Sequence, residues 1–152
     1  MMLNQGPKPP TPEQFAGAVA QSSGYELAAA QAALAQSRSL KVRTFAERMI
    51  ADHKHMAQAL GDASRAAGLQ PPKPYVGSDQ ARFLSALQSL RGEEFDREYG
   101  RQQMLAHVSA LTVMRGYAEQ GSDPDLRRFA AGSAPMIERH LQDAGELLRS
   151  LS

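Results

Sequence analysis

A capping residue followed directly by proline and an acidic residue occurs twice in this chain, at Thr11-Pro12-Glu13 and at Asp123-Pro124-Asp125. The Thr or Asp side chain accepts from the free amides of a helix's first turn, and proline at the first helical position gives up an N–H that has no partner there. Both sites therefore predict helix starts. Ala is abundant, aromatics make up 6% of the residues, and β-branched residues are few and scattered, so local propensity favours helix nearly everywhere. No sheet is expected.

Between these signals apolar residues recur at helical spacing. A first helix is expected over 12–36, with Phe15, Val19, Ala29 and Ala33 on one stripe, and Ser37-Arg38-Ser39 as a tight connection. A second follows over 40–67 through Val42, Phe45, Met49, Met56 and Leu60, stopped by Gly68. The run Pro71-Pro72-Lys73-Pro74 is extended, and Ser78-Asp79 caps a short helix over 79–90 carrying Phe83, Leu84, Leu87 and Leu90. The third long helix runs from Glu93 to 120 and stops at Gly121; the fourth runs from Asp125 to the C-terminus through Leu126, Phe129, Ile137, Leu141, Ala144, Leu148 and Leu151. Pro135 removes the donor for the Ala131 carbonyl, so a kink is expected one turn before His140.

Four helices of about 27 residues, each roughly 40 Å long, make a four-helix bundle by count and length. Connections of about three residues make the first and second helices antiparallel neighbours, and the third and fourth likewise. The segment 68–92 is long enough to travel the length of the bundle, so the second and third helices run parallel. The expected fold is all-α: a ferritin-like four-helix bundle with one long crossover containing a short extra helix. Residues 1–10 read as a flexible lead-in and 11–152 as a single domain. A short echo between Met49–His53 and Met136–His140 is compatible with two related halves.

The chain's 152 residues, 42% of them hydrophobic and 22% charged, are enough to bury a core and exclude disorder throughout. Seventeen basic residues balance 16 acidic ones at a net charge of +1, without the one-sided basic surface that binding nucleic acid requires. Zero cysteines exclude disulfides, thiolate metal sites, iron–sulfur clusters and Cys nucleophiles. No apolar stretch approaches the roughly 20 residues that span a bilayer, so no membrane insertion is expected, and the opening residues contain no signal-peptide core.

The informative residues are polar groups at inward positions, since burying one without a partner costs several kcal/mol. Glu26 lies on the stripe of Phe15, Val19 and Ala29. His53 falls between Met49 and Met56, His107 between Tyr99 and Leu111, and His140 between Ile137 and Ala144. Each belongs to a different long helix, and all four stand within about three positions, or about 5 Å, of their helix midpoints. Side-by-side packing brings them into one mid-bundle layer. One carboxylate and three imidazoles converging there form a ligand set for a single transition-metal ion, whose charge offsets the cost of burying them; Zn, Fe, Mn, Ni or Cu would accept it. A metal-free Glu–His hydrogen-bond network that only fixes helix register is the other reading.

His55 points about 160° from His53 toward solvent and is given no role. Asp52 is placed either to orient a neighbouring imidazole or in a flanking salt bridge. Met49, Met104 and Met136 precede the histidines by three or four residues. They suit a soft ion such as Cu(I), though gap-filling is the commoner use of core methionine. Gly-x-Ser-x-Gly, His-Glu-x-x-His and phosphate-cradling glycine loops are absent, so hydrolase readings are weak.

Phe45 through Asp52-His53, Phe95-Asp96-Arg97-Glu98-Tyr99 with His107 eight residues on, and Asp125-Leu126 through Phe129-Ala130 to Pro135 and His140-Leu141 resemble, in this order and spacing, domain-of-unknown-function family 4142. The resemblance covers about residues 12–149. It implies a bacterial, ferritin-like protein that is exported, periplasmic or envelope-associated; a native start as written would instead imply the cytoplasm. It implies no defined reaction. Family members often carry an acidic residue immediately before the histidine of the third long helix, where this chain has Ala106. A di-iron site would require Glu-x-x-His on two helices, and the residues three before His53, His107 and His140 are Ile50, Met104 and Ile137.

Two functions stand at this point. One is a ferritin-like protein binding one metal ion, with a redox, stress or metal-homeostasis role; the other is a metal-free envelope or stress-associated interaction module. A homodimer is compatible with either.

Overall fold

The computed structural model describes residues 8–151, and among them contains five helices and no strand. They are α1 (Pro12–Gln36), α2 (Leu40–Ala66), α3 (Ser78–Gln88), α4 (Gly92–Gln120) and α5 (Pro124–Ser150). Residues 1–7 of the expected lead-in, and Ser152, lie outside the described residues.

The helix starts follow the capping chemistry. Thr11 Oγ1 accepts from the Gln14 amide at 3.1 Å, and Gln14 Oε1 accepts in return from the Thr11 amide at 3.0 Å, a reciprocal box that satisfies two otherwise free donors. Asp123 Oδ1 accepts from the Leu126 amide at 2.9 Å. At the end of α2, Gly68 takes a φ of +79°, while its amide donates to the Arg65 carbonyl and that of Leu69 to the Ser64 carbonyl. That pairing closes the helix through a left-handed glycine. The short helix begins one residue before and ends two residues before the expected 79–90, and its N-cap is Gly77, whose amide donates to Gln80 Oε1 at 3.1 Å. The amides of Gln80 and Ala81 donate to the Gly77 carbonyl, each at 3.1 Å, and no side chain caps the helix. α5 continues through Pro135 without ending.

Two apolar clusters show how the long helices are directed. One joins Tyr25 to Ala33 of α1 with Val42 to Met49 of α2, Leu84 and Leu87 of α3, Phe95 and Tyr99 of α4, and Ala144 and Leu147 of α5. The other joins Phe15 to Ala20 with Met56 and Leu60, Leu111 to Tyr117, and Leu126 to Ile137. The start of α2 thus lies with the start of α4 and with the ends of α1 and α5. α2 and α4 therefore run parallel, and each is antiparallel to α1 and α5. The helices adjoin in the order α1, α2, α5, α4 and back to α1, with α3 against α1 and α4.

The extended segment before α3 crosses α1 at close range. The Tyr75 amide donates to the Ala20 carbonyl at 3.3 Å, and a Cβ built on Gly24 would stand 2.1 Å from the Tyr75 carbonyl oxygen. Alanine in a helix interior usually gains about 1 kcal/mol over glycine. Here the contact is backbone, which cannot rotate away, and forcing it apart costs about 1–3 kcal/mol. Gly24→Ala is therefore expected to lower Tm by a few degrees in a thermal melt, against the propensity trend.

Candidate metal centre

Glu26, His53, His107 and His140 are each 1–2% exposed and stand at the boundary between the two apolar clusters. Helical arithmetic explains this. Three or four residues before or after each histidine on the same helix stands a cluster residue: Met49 and Met56 about His53, Leu111 after His107, Ile137 and Ala144 about His140. Whatever packs those residues inward carries the imidazoles with them.

The three imidazoles converge. Each offers a ring nitrogen, and the three lie within 4.8 Å of one another. Ring centroids are 6.1 Å apart for His53 and His107, 5.8 Å for His53 and His140, and 5.4 Å for His107 and His140. Nitrogens sharing one ion at about 2.0–2.1 Å stand roughly 3–4 Å apart, so the group need close by no more than roughly 1.5 Å.

Hydrogen bonding fixes two tautomers. His107 Nδ1 lies 2.8 Å from the Gln103 carbonyl of its own helix; a carbonyl only accepts, so Nδ1 carries the proton and Nε2 keeps its lone pair. His140 Nε2 lies 2.7 Å from Asp52 Oδ2 of α2, so Nε2 donates and Nδ1 keeps the lone pair. Those two nitrogens, and both nitrogens of His53, are buried with no hydrogen-bond partner. The Asp52 alternatives are thereby resolved: it orients His140, an arrangement common behind metal-bound imidazoles.

Burial holds the His53 imidazole down to about 3, with the neighbouring His107 and His140 acting in the same direction. Burial also lowers His140, against the opposing pull of Asp52. Neutral imidazole is the form that ligates a metal. Glu26 stands apart from the trio, with Oε1 4.0 Å from His107 Nδ1 and Oε2 buried without a partner. Burial raises its carboxyl above the ordinary range, and His107 opposes this.

His55 is exposed. Met49 belongs to one apolar cluster, and Met104 and Met136 pack against the two clusters as fillers. Two contacts escaped the sequence reading: Tyr25 Oη donating to Gln102 Oε1 at 2.6 Å and Ser37 Oγ donating to Asp96 Oδ1 at 2.5 Å. Asp96 belongs to the Phe-Asp-x-x-Tyr element, so a motif pointed to it, but nothing in sequence pairs it with Ser37.

The class defined so far is an all-α protein with three buried imidazoles brought together amid its long helices, each keeping at least one nitrogen without a hydrogen-bond partner. The family Domain of unknown function (DUF4142) matches residues 2–147, and the chain belongs to it. The comparisons with curated proteins and with solved structures returned no match. Among the described residues no helix is long and apolar enough to cross a membrane.

Proposed function

We propose that residues 11–152 form one ferritin-like bundle that binds a single transition-metal ion through His53, His107 and His140, with Glu26 as the anionic member of the layer. The reading rests chiefly on the four buried imidazole nitrogens without partners. A hydrogen-bond network that only fixed helix register would pair these atoms with one another, because an unpaired buried polar group costs about 1–3 kcal/mol. Here the His107 and His140 protons find partners in Gln103 and Asp52, and His107 Nε2, His140 Nδ1 and one nitrogen of His53 are left with unshared lone pairs. A cation takes those lone pairs, and Glu26 offsets its charge.

One carboxylate and three imidazoles fit a mononuclear site for Zn, Fe, Mn, Ni or Cu. When bound, the ion supplies Lewis acidity or electron transfer; the protein holds the imidazoles neutral, fixes His107 and His140 through their partners and excludes water. The role that follows is in metal homeostasis or in a redox or stress response. The exported, envelope location belongs to the same reading and rests on the family resemblance.

Elemental analysis of protein purified without added metal tests it: one ion per chain is expected, lost in His107→Ala. Metal-free protein that takes up no ion on titration would leave the polar layer structural. Asp52→Ala is expected to keep the stoichiometry but weaken metal affinity about 10- to 100-fold, measured by competition with a chromophoric chelator, since His140 then loses the carboxylate that fixes its ring.

A further inference from the structure

A cavity of about 210 Å³ opens along the seam between α1 and α4. Its walls include Tyr25, Met56, Ala106, Ala110 and Ile137, so all four long helices contribute. Each of these residues is a near neighbour of the polar layer. Tyr25 precedes Glu26, Met56 follows His53 by three, Ala106 and Ala110 flank His107, and Ile137 precedes His140 by three. Separations of one to three residues amount to no more than about 5 Å along a helix axis. The cavity therefore lies beside the imidazole layer, and none of the three histidines is among its lining residues.

Its chemistry is selective. None of the residues lining it carries a formal charge, although Gln21, Ser22, Tyr25, Gln80 and Ser109 are polar, so an ion entering would find no counter-charge in its walls. Cavities of about 150 Å³ accept a benzene ring, and this one is somewhat larger. The seam is open because Ala106 and Ala110, both partly exposed, present only methyl groups to it. The inner wall is closed by Met56, 3% exposed, and Ile137, 1% exposed. Methionine is unbranched and flexible, and can swing aside where a β-branched residue cannot.

We infer that this seam is the docking place of a small uncharged molecule, no larger than a five- or six-membered ring, which binds the metal as an external ligand past Met56. The inference rests on the metal reading above. With at most four protein donors, an ion that prefers five or six ligands keeps a position open to such a molecule.

The test loads the full chain with Co(II), counts the metal, and follows the visible ligand-field bands during titration with imidazole at pH 8, and separately with acetate. One Co(II) per chain and bands that shift with imidazole but not with acetate are expected. Ala110→Phe, which fills the seam, is expected to keep its Co(II) and raise the half-saturating imidazole concentration about tenfold or more. Should that variant lose Co(II), Ala106→Leu narrows the same seam and is read the same way. A full complement of Co(II) with no response to imidazole, or an equal response in wild type and seam variant, overturns the inference and leaves the metal reading intact. A chain that binds no Co(II) overturns both.

Discussion

Replacing His53 with leucine is expected to raise the stability of the metal-free chain while abolishing its metal uptake. Neither ring nitrogen of His53 has a partner, and the residue is 2% exposed. A buried polar group left unpaired costs about 1–3 kcal/mol, and leucine of similar volume fills the space between Met49 and Met56 without that cost. For a chain of this length the gain corresponds to a Tm higher by about 3–10 °C. With metal present the order reverses, because the wild type alone is stabilised by binding, by about 4 kcal/mol when free metal is a thousandfold above Kd. Thermal unfolding of both proteins, in chelator and in zinc, checks all four values. A structural polar network predicts the opposite sign in chelator, since leucine would then delete hydrogen bonds. The pattern expected is that of a binding site that trades stability for function.

Acid is expected to weaken the metal-free protein steeply below about pH 6.5. The imidazole of His53 is held down to about 3 in the folded chain and returns to about 6.5 when the chain unfolds. Between those values the unfolded state binds one more proton than the folded state, so stability rises with pH across the window. His53's contribution is fully present above the unfolded value and is lost as pH falls toward the folded one, at about 1.4 kcal/mol per pH unit. His140 is lowered as well and adds in the same direction. Urea unfolding of the metal-free chain at a series of pH values measures the slope, and His53→Leu should flatten it. An unchanged slope in that variant would show that other groups govern the acid response.

Much of this was legible along the chain because helices are nearly one-dimensional objects. Caps at Thr11 and Asp123 and the stop at Gly68 set element boundaries within a residue or two. Counting from those boundaries gave the height and face of His53, His107 and His140, and the structure brings the three together. The same counting marked His55 as exposed. Lateral relations were not legible, because they depend on how far each helix is rotated and on which rotamers the packing admits. The height of Glu26 says nothing of the 4.0 Å that separates its carboxylate from the His107 ring. Two roles stood open for Asp52 until α2 and α5 were set side by side. The crossover's path over Gly24 depends on a contact between residues some fifty positions apart. The seam cavity depends on small side chains in α1 and α4 meeting across a helix interface, which neither segment reveals alone.

The most direct measurement is X-ray absorption at the metal edge of zinc-loaded protein, because it reports the number and type of donors. Three nitrogens at about 2.0–2.1 Å, with the outer-shell scattering of imidazole rings, are predicted, and His53→Leu should retain no zinc to report. An oxygen-only shell without imidazole scattering would contradict a centre built from His53, His107 and His140.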